Sequence, residues 1–506
     1  MHVLPPTSIA AAHRAVAGAL LALVACGSEP AAAPQVELAL GPLPGALLSV
    51  AVAKDGALWL AGADAHDGRG GYLARRPAGA DTFERVDLRP LDDGGGALWW
   101  VHARADGGVL VAGERGRLFA VDDAGAHRVA TGTSATLYGV AGLGPRAYAV
   151  GGPPATLLAV DPIGARAEVL ALPADVPPEA RLFKVFAAAD GRFHVVGERG
   201  VHLVVAGDVV TSAPVPGGPR LITVHGPSAG ARPLVAVGGD VEGYALEIDG
   251  DRFRQIPAPL APPLNGVCVG RRRTLAVGFL GTVLERDGDA WRALDGVDPG
   301  FDAHAVVIDE ADVAWVVGGH LIDASLGGGQ LWRIGPRADP AAPYAVHDLD
   351  VVAADDGDAI GDTAPAPDAA SACPPLAEAS GLELGQRELG CFEAYRDGGE
   401  VVVVNGPQGG SHVELAVRLP DSPAAAHVHL RASLVVAGTS IARFEVADLA
   451  TERDPGAPAT RMSTDVPVIF AGADPSPWVG ATATLAVELE VGEAHLERAL
   501  TVVIRR

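Results

Sequence analysis

Short apolar runs closed by a glycine recur through the first two thirds of the chain. They read Ala57–Gly62, Val109–Gly113, Ala147–Gly151, Phe193–Gly197, Leu234–Gly238, Thr274–Gly278 and Ala314–Gly318. From Gly62 to Gly318 the spacing averages about 43 residues, the period of a four-stranded propeller blade rather than of a leucine-rich repeat. Each unit has the same internal order. A first alternating run, such as Leu182–Phe186 or Leu264–Val269, precedes the glycine-closed one. Asp55-Gly56, Asp106-Gly107 and Asp190-Gly191 stand between the two, and Asp-Gly is a strong hairpin signal. A polar turn such as Glu114-Arg115-Gly116 leads to a third run, and another turn leads to a short outer one. The pattern predicts seven units of four strands closed into a ring, which leaves only short, protected edges. The seventh unit has three runs of its own. Its fourth strand can come from Val36–Leu40, which stands before the first unit as each fourth strand stands before the next, or from Tyr344–Leu349. The first is favoured, because joining the two chain ends in one blade seals the ring.

Beyond the ring the pattern changes twice. No Lys or Arg lies between Arg337 and Arg387, while Asp348, Asp350, Asp355, Asp356, Asp358 and Asp362 crowd together ahead of an Ala/Pro run. This composition cannot bury a core and reads as a solvated linker. The alternative, a calcium loop at Asp355–Asp358, lacks the acidic residue that an EF-type loop needs at its twelfth position. Alternation then resumes. Val401–Asn405, His412–Leu419, His427–Val436, Ile441–Val446, Val466–Phe470, Ala481–Val491 and Leu496–Ile504 are strand candidates, and seven strands in such a length predict an immunoglobulin-like β-sandwich. The fold class is therefore all-β. The expected division is 1–25 signal peptide, 26–35 tether, 36–336 seven-bladed propeller, 337–379 acidic linker and 380–506 sandwich.

Composition limits the function. The 506 residues carry 65 Gly and 40 Pro, suited to many short connections. A net charge of −24 repels nucleic acid and anionic lipid, so neither DNA nor RNA is an expected partner. Only two lysines occur, Lys54 and Lys184. The apolar run Ala15–Ala25 is too short to span a bilayer but fits a secretory leader. It ends in Leu23-Val24-Ala25-Cys26-Gly27-Ser28, which resembles a bacterial lipobox. The resemblance implies cleavage before Cys26, acylation of that residue and tethering in the cell envelope, with the outer membrane favoured by Gly27. An ordinary signal peptide with an incidental cysteine is the alternative. In an exported protein Cys373 and Cys391 are expected to form a disulfide, and Cys268, on an alternating strand, is expected to be a buried thiol.

The stretch Ala276–Trp291, with Ala-Val-Gly, a polar turn, Gly-Thr-Val-Leu-Glu-Arg, Asp-Gly and Trp, resembles the photosystem II stability/assembly-factor-like propellers, relatives of the sialidase-type repeats. That resemblance covers roughly residues 45–336. It implies the architecture and no ligand. The element Gly406-Pro407-Gln408-Gly409-Gly410-Ser411-His412 resembles one in uncharacterised β domains of secreted lipoproteins from myxobacteria-like organisms, and no activity comes with it.

The linear catalytic signatures His-Glu-x-x-His and a P-loop are absent. None of the six tyrosines is accompanied by the Arg-rich start motif of sialidases. His412 with His427 and His429 is the one candidate metal or ligand set, against the plainer reading of His412 as a turn or strand-start residue. No catalytic, cofactor or metal residue is therefore assigned. The expected function is a tethered lipoprotein whose propeller binds a protein or glycan. The alternative is a glycan-acting hydrolase or lyase with its site on the central face of the ring.

Overall fold

The computed structural model describes residues 35–64, 70–91, 95–227, 233–294, 301–321, 326–335, 345–347, 373–388, 391–406, 410–463, 465–470 and 475–506. Cys26 and the acidic linker with its calcium alternative lie outside these, apart from the short strand Ala345–His347. Among the described residues no helix is long and apolar enough to cross a membrane.

Seven antiparallel sheets form the propeller, each a meander ordered from the axis outward. The innermost strands are Leu47–Val52, Leu98–Ala103, Leu137–Leu143, Leu182–Ala187, Leu221–His225, Leu264–Val269 and Asp302–Ile308. The seven glycine-closed runs are the second strands. Blade 7 takes its outer strand from the other end of the chain. Gln35–Gly45 pairs antiparallel with Gly327–Gly335, setting Val36 opposite Ile334 and Leu38 opposite Trp332. The ring is thus closed by the N-terminal strand. The competing candidate, reduced to Ala345–His347, runs parallel to the outer strand Thr82–Arg85 and gives blade 1 a fifth strand.

The repeat glycines have a steric cause. A Cβ at Gly62, Gly113, Gly151, Gly197, Gly238, Gly278 or Gly318 would sit inside contact distance of a backbone carbonyl just before or at the start of the inner strand, those of Ala46, Ala97, Thr136, Arg181, Arg220, Pro263 and Asp302 respectively. Opposite each of these glycines the inner strand carries one extra residue. The register slips between Leu47 and Ser49, Leu98 and Trp100, Leu137 and Gly139, Leu182 and Lys184, Leu221 and Thr223, Leu264 and Gly266, and Ala303 and Ala305. A bulge re-aims a side chain. Repeated seven times about an axis, it gives a ring of Leu48, Trp99, Tyr138, Phe183, Ile222, Asn265 and His304.

Residues 373–506 form the second domain, a β-sandwich. The seven expected strands are present with shifted ends, as Gly399–Asn405, Ser411–Pro420, His427–Val436, Thr439–Asp454, Val466–Phe470, Thr482–Val491 and Ala494–Arg505. Three more were not anticipated: Glu383–Glu388, Cys391–Ala394 and Ala457–Ser463. The long strands Ser411–Pro420 and Thr439–Asp454 each pair with several partners along their length and so join the layers. One large core runs through the domain, built on Leu415, Val417, Leu430, Phe444, Val468, Leu485 and Val502, with a small separate cluster of Phe392, Ala416 and Met462. Cys373 and Cys391 are bonded, with Cα atoms 5.5 Å apart, at the start of the domain. Cys268 is free and buried in blade 6, where burial pushes its thiol up to about 12.

Candidate functional site

A propeller has two axial mouths, and here the strand directions make them differ. At one mouth the inner strands begin. At the other they end in the hairpin turns that carry Asp-Gly.

The first mouth is floored by the bulge residues. Leu48, Trp99, Tyr138, Phe183 and Ile222 pack into one apolar cluster, joined by Leu321 and Leu326 from blade 7. Trp99 meets Tyr138 edge-on with ring centroids 5.4 Å apart, Tyr138 meets Phe183 at the same separation, and His304 lies 5.7 Å from Trp99. These contacts draw on six of the seven blades and plug the channel. Edge-to-face aromatic pairs add about 1 kcal/mol each beyond burial.

The sandwich covers this plug. Gly406, Gly410, Ser411 and His412, with Pro467 and Ile469, form the roof of a small cavity of about 70 Å³, and Trp99, Phe279, His304 and Leu326 contribute to its floor. At its side Arg443 of the sandwich pairs with Glu242 of blade 5 at 3.2 Å. Leu280 of blade 6 packs against the sandwich core. His412 therefore belongs to the domain contact. His427 and His429 do not join it: His429 lies on an exposed ladder between Glu445, 2.9 Å away, and Glu490, 3.2 Å away. The proposed trio is not assembled, and among the described residues no group of three His, Cys, Asp or Glu could hold a metal ion.

Among the described residues nothing covers the second mouth. The turns of blades 1, 2, 3 and 7 surround a basin of about 750 Å³, several-fold roomier than the covered cavity. Lys54, Arg76, Arg104 and Arg146 line it together with Asp55, Asp309 and Glu310. Its carboxylates have structural work. Asp309 accepts from the backbone N–H groups of Ala311 and Val313, at 2.9 and 3.0 Å, and from Trp315 Nε1 at 3.1 Å. Asp55 accepts from Ala57 N at 3.0 Å and faces Arg75 at 3.4 Å. Asp55 and Asp309 are thus tied to the turns that shape the rim, while Glu310 is exposed, 3.9 Å from Arg271. Leu143, on the rim, is 45% exposed and Ile163 nearby in sequence 89%, which leaves apolar surface at this mouth.

Between the mouths the axis holds buried basic groups. Lys184 is buried with Nζ 2.7 Å from the centre of the Trp100 ring, and burial holds its amine well below the usual lysine range. His225 and His304 are pushed by burial to about 4 and about 3. His102, also lowered by burial to about 4, lies 3.1 Å from the Gly142 carbonyl. Sequence reasoning singled out neither Lys184 nor the plug. A lysine inside an alternating run whose neighbours are all apolar was the available signal.

No family model matches the sequence, and no curated protein matches it. By structure the propeller is similar to YCF48 from Cyanidioschyzon merolae, with 14% identity over 60% of this chain and 98% of that one and a TM-score of 0.46. It is similar to YCF48 bound to D1 peptide at 12% identity, over 60% and 97%, with a TM-score of 0.46. The extracellular domain of the putative hybrid two-component system BT3049 from B. thetaiotaomicron matches at 10% identity, over 94% of this chain and 58% of that chain, with a TM-score of 0.43.

Proposed function

We propose that this is an exported, lipid-tethered envelope protein whose propeller binds a protein or glycan at its uncovered mouth, without chemistry of its own. One observation carries the reading. Of two mouths made by the same seven strands, one is plugged and roofed, while the other is a wide basin with cationic and apolar rim groups. A basin that collects side chains from four blades suits recognition, because each turn can vary without disturbing the strands behind it. The tether rests on the lipobox at Cys26. Only about ten residues separate Cys26 from the strand that closes blade 7, so an acylated chain end would hold the ring near the outer membrane. The sandwich, reached through the acidic linker, then serves as the cover of the inner-strand mouth.

Two variants of the intact tethered protein test this. Cys26→Ala is expected to release the protein from the membrane fraction, and a variant that still pellets with membranes contradicts the tether. Replacing Leu143 and Arg146 together by Asp and Glu is expected to abolish recovery of the envelope ligand by pull-down while the melting temperature holds. Undiminished recovery would place recognition elsewhere.

A further inference from the structure

The covered cavity has a chemistry that the domain contact alone does not use. Trp99 Nε1 and His412 Nε2 are both buried without a hydrogen-bond partner, and both residues line this space. Trp99 is 2% exposed and His412 6%. An orphaned polar nitrogen in an apolar interior costs about 1–3 kcal/mol, and here one comes from each domain. The indole N–H can only donate. Burial holds His412 down to about 4, so its ring is neutral and carries a single N–H, and Nε2 is the donor in the Nε2–H tautomer. The Arg220 guanidinium lines the same space. A volume of about 70 Å³ is only about 5 Å across, so groups on its different walls reach the same few atoms. It exceeds what one water needs, about 10–15 Å³, and falls short of the ~150 Å³ that takes benzene. Ile222, Leu321 and Ile469 supply apolar wall, and Asn265, His304, Ser411 and Asp240 also line the space.

We propose that the cavity between the aromatic plug and the His412 edge binds one short-chain carboxylate, its oxygens accepting from Trp99 Nε1, His412 Nε2 and the Arg220 guanidinium and its carbon tail lying on the apolar walls. Three donors on one compact group call for an acceptor-only head, which an ionised carboxylate is and an amide is not. Asp240, exposed at the rim, opposes the negative charge and keeps the affinity modest. This site is separate from the open mouth and does not depend on what binds there.

Calorimetry on the full chain with butyrate, and with butyramide as the neutral control of nearly equal shape, tests the assignment. Butyrate should bind at least about tenfold more tightly than butyramide, the worth of about one charge-assisted hydrogen bond. Trp99→Phe keeps the aromatic floor, removes the N–H and should weaken butyrate about fivefold. Asp240→Asn, at an exposed position with little consequence for folding, should tighten butyrate and leave butyramide unchanged. Equal binding of the two probes, no binding of butyrate, no tightening in Asp240→Asn, or a butyrate-soaked crystal with only water in the cavity would each overturn the proposal.

Discussion

The two mouths of the ring are opposite ends of the same strands, and they diverge because of where the backbone irregularity sits. At the inner-strand start, each repeat glycine admits a close carbonyl and faces a one-residue bulge, so seven side chains turn inward and meet. At the far end the strands pass into hairpin turns, where carboxylates such as Asp309 are spent on turn N–H groups and the turns of four blades surround a basin. One repeat thus yields a sealed end that a second domain can cover and an unsealed end that can recognise something. The contrast extends to the domains. The propeller distributes its core over small clusters between blades, rich in Ala and Val, while the sandwich gathers most of its core into one large cluster.

The largest break in this arrangement comes from opening the ring. Deleting residues 35–41 removes most of the strand paired with Gly327–Gly335 and exposes an edge in blade 7. The propeller's unfolding transition should collapse while that of the sandwich persists. Gly151→Val is next. It forces a side chain against the Thr136 carbonyl, opposite the bulge that aims Tyr138, and should cost about 3 kcal/mol in urea denaturation with the loss confined to the propeller.

Acid should separate the domains in the same direction. Burial lowers His102, His202 and His225 to about 4, and burial with the neighbouring His202 charge lowers His194 likewise. His304 falls to about 3. Above pH 6.5 these rings are neutral whether folded or not, and they contribute no pH dependence. As pH falls from about 6.5 towards 4 the unfolded chain takes up protons that the folded ring refuses, so stability declines, by roughly 3 kcal/mol for one such histidine. Five of these groups lie in the propeller and one, His412, in the sandwich. The propeller's melting temperature should therefore drop more steeply across this window. A sandwich that loses stability first would contradict the burial of the axial histidines. The smallest effect belongs to Glu242→Lys, which removes the exposed pair with Arg443 and should shift stability by less than about 1 kcal/mol.

Much of this was legible in the chain. The glycine period and the Asp-Gly turns gave seven blades. The placement of Val36–Leu40 before the first unit pointed to the closing strand. The plug was not legible, because the bulges fall inside wholly apolar stretches such as Leu47-Leu48 and Leu221-Ile222, where one residue of slippage leaves no mark on the hydrophobic pattern. Glu383–Glu388 and Cys391–Ala394 were missed because they are rich in charge, and Ala457–Ser463 because its runs are small and polar. They follow from pairing with the long strands rather than from alternation. The roof over the plug depends on proximity between segments about 190 to 310 residues apart, His412 with Arg220 and Trp99, which local pattern does not carry.

The central claim is that the protein or glycan ligand is recognised at the open mouth and not at the covered one. A photo-crosslinking residue placed at Arg146, and separately at Asp240, in the tethered protein within its own envelope tests it most directly. Crosslinked ligand should appear from position 146 and not from position 240. Adducts from position 240 alone would mean that the sandwich uncovers the plug to bind, and would contradict the assignment of the two mouths.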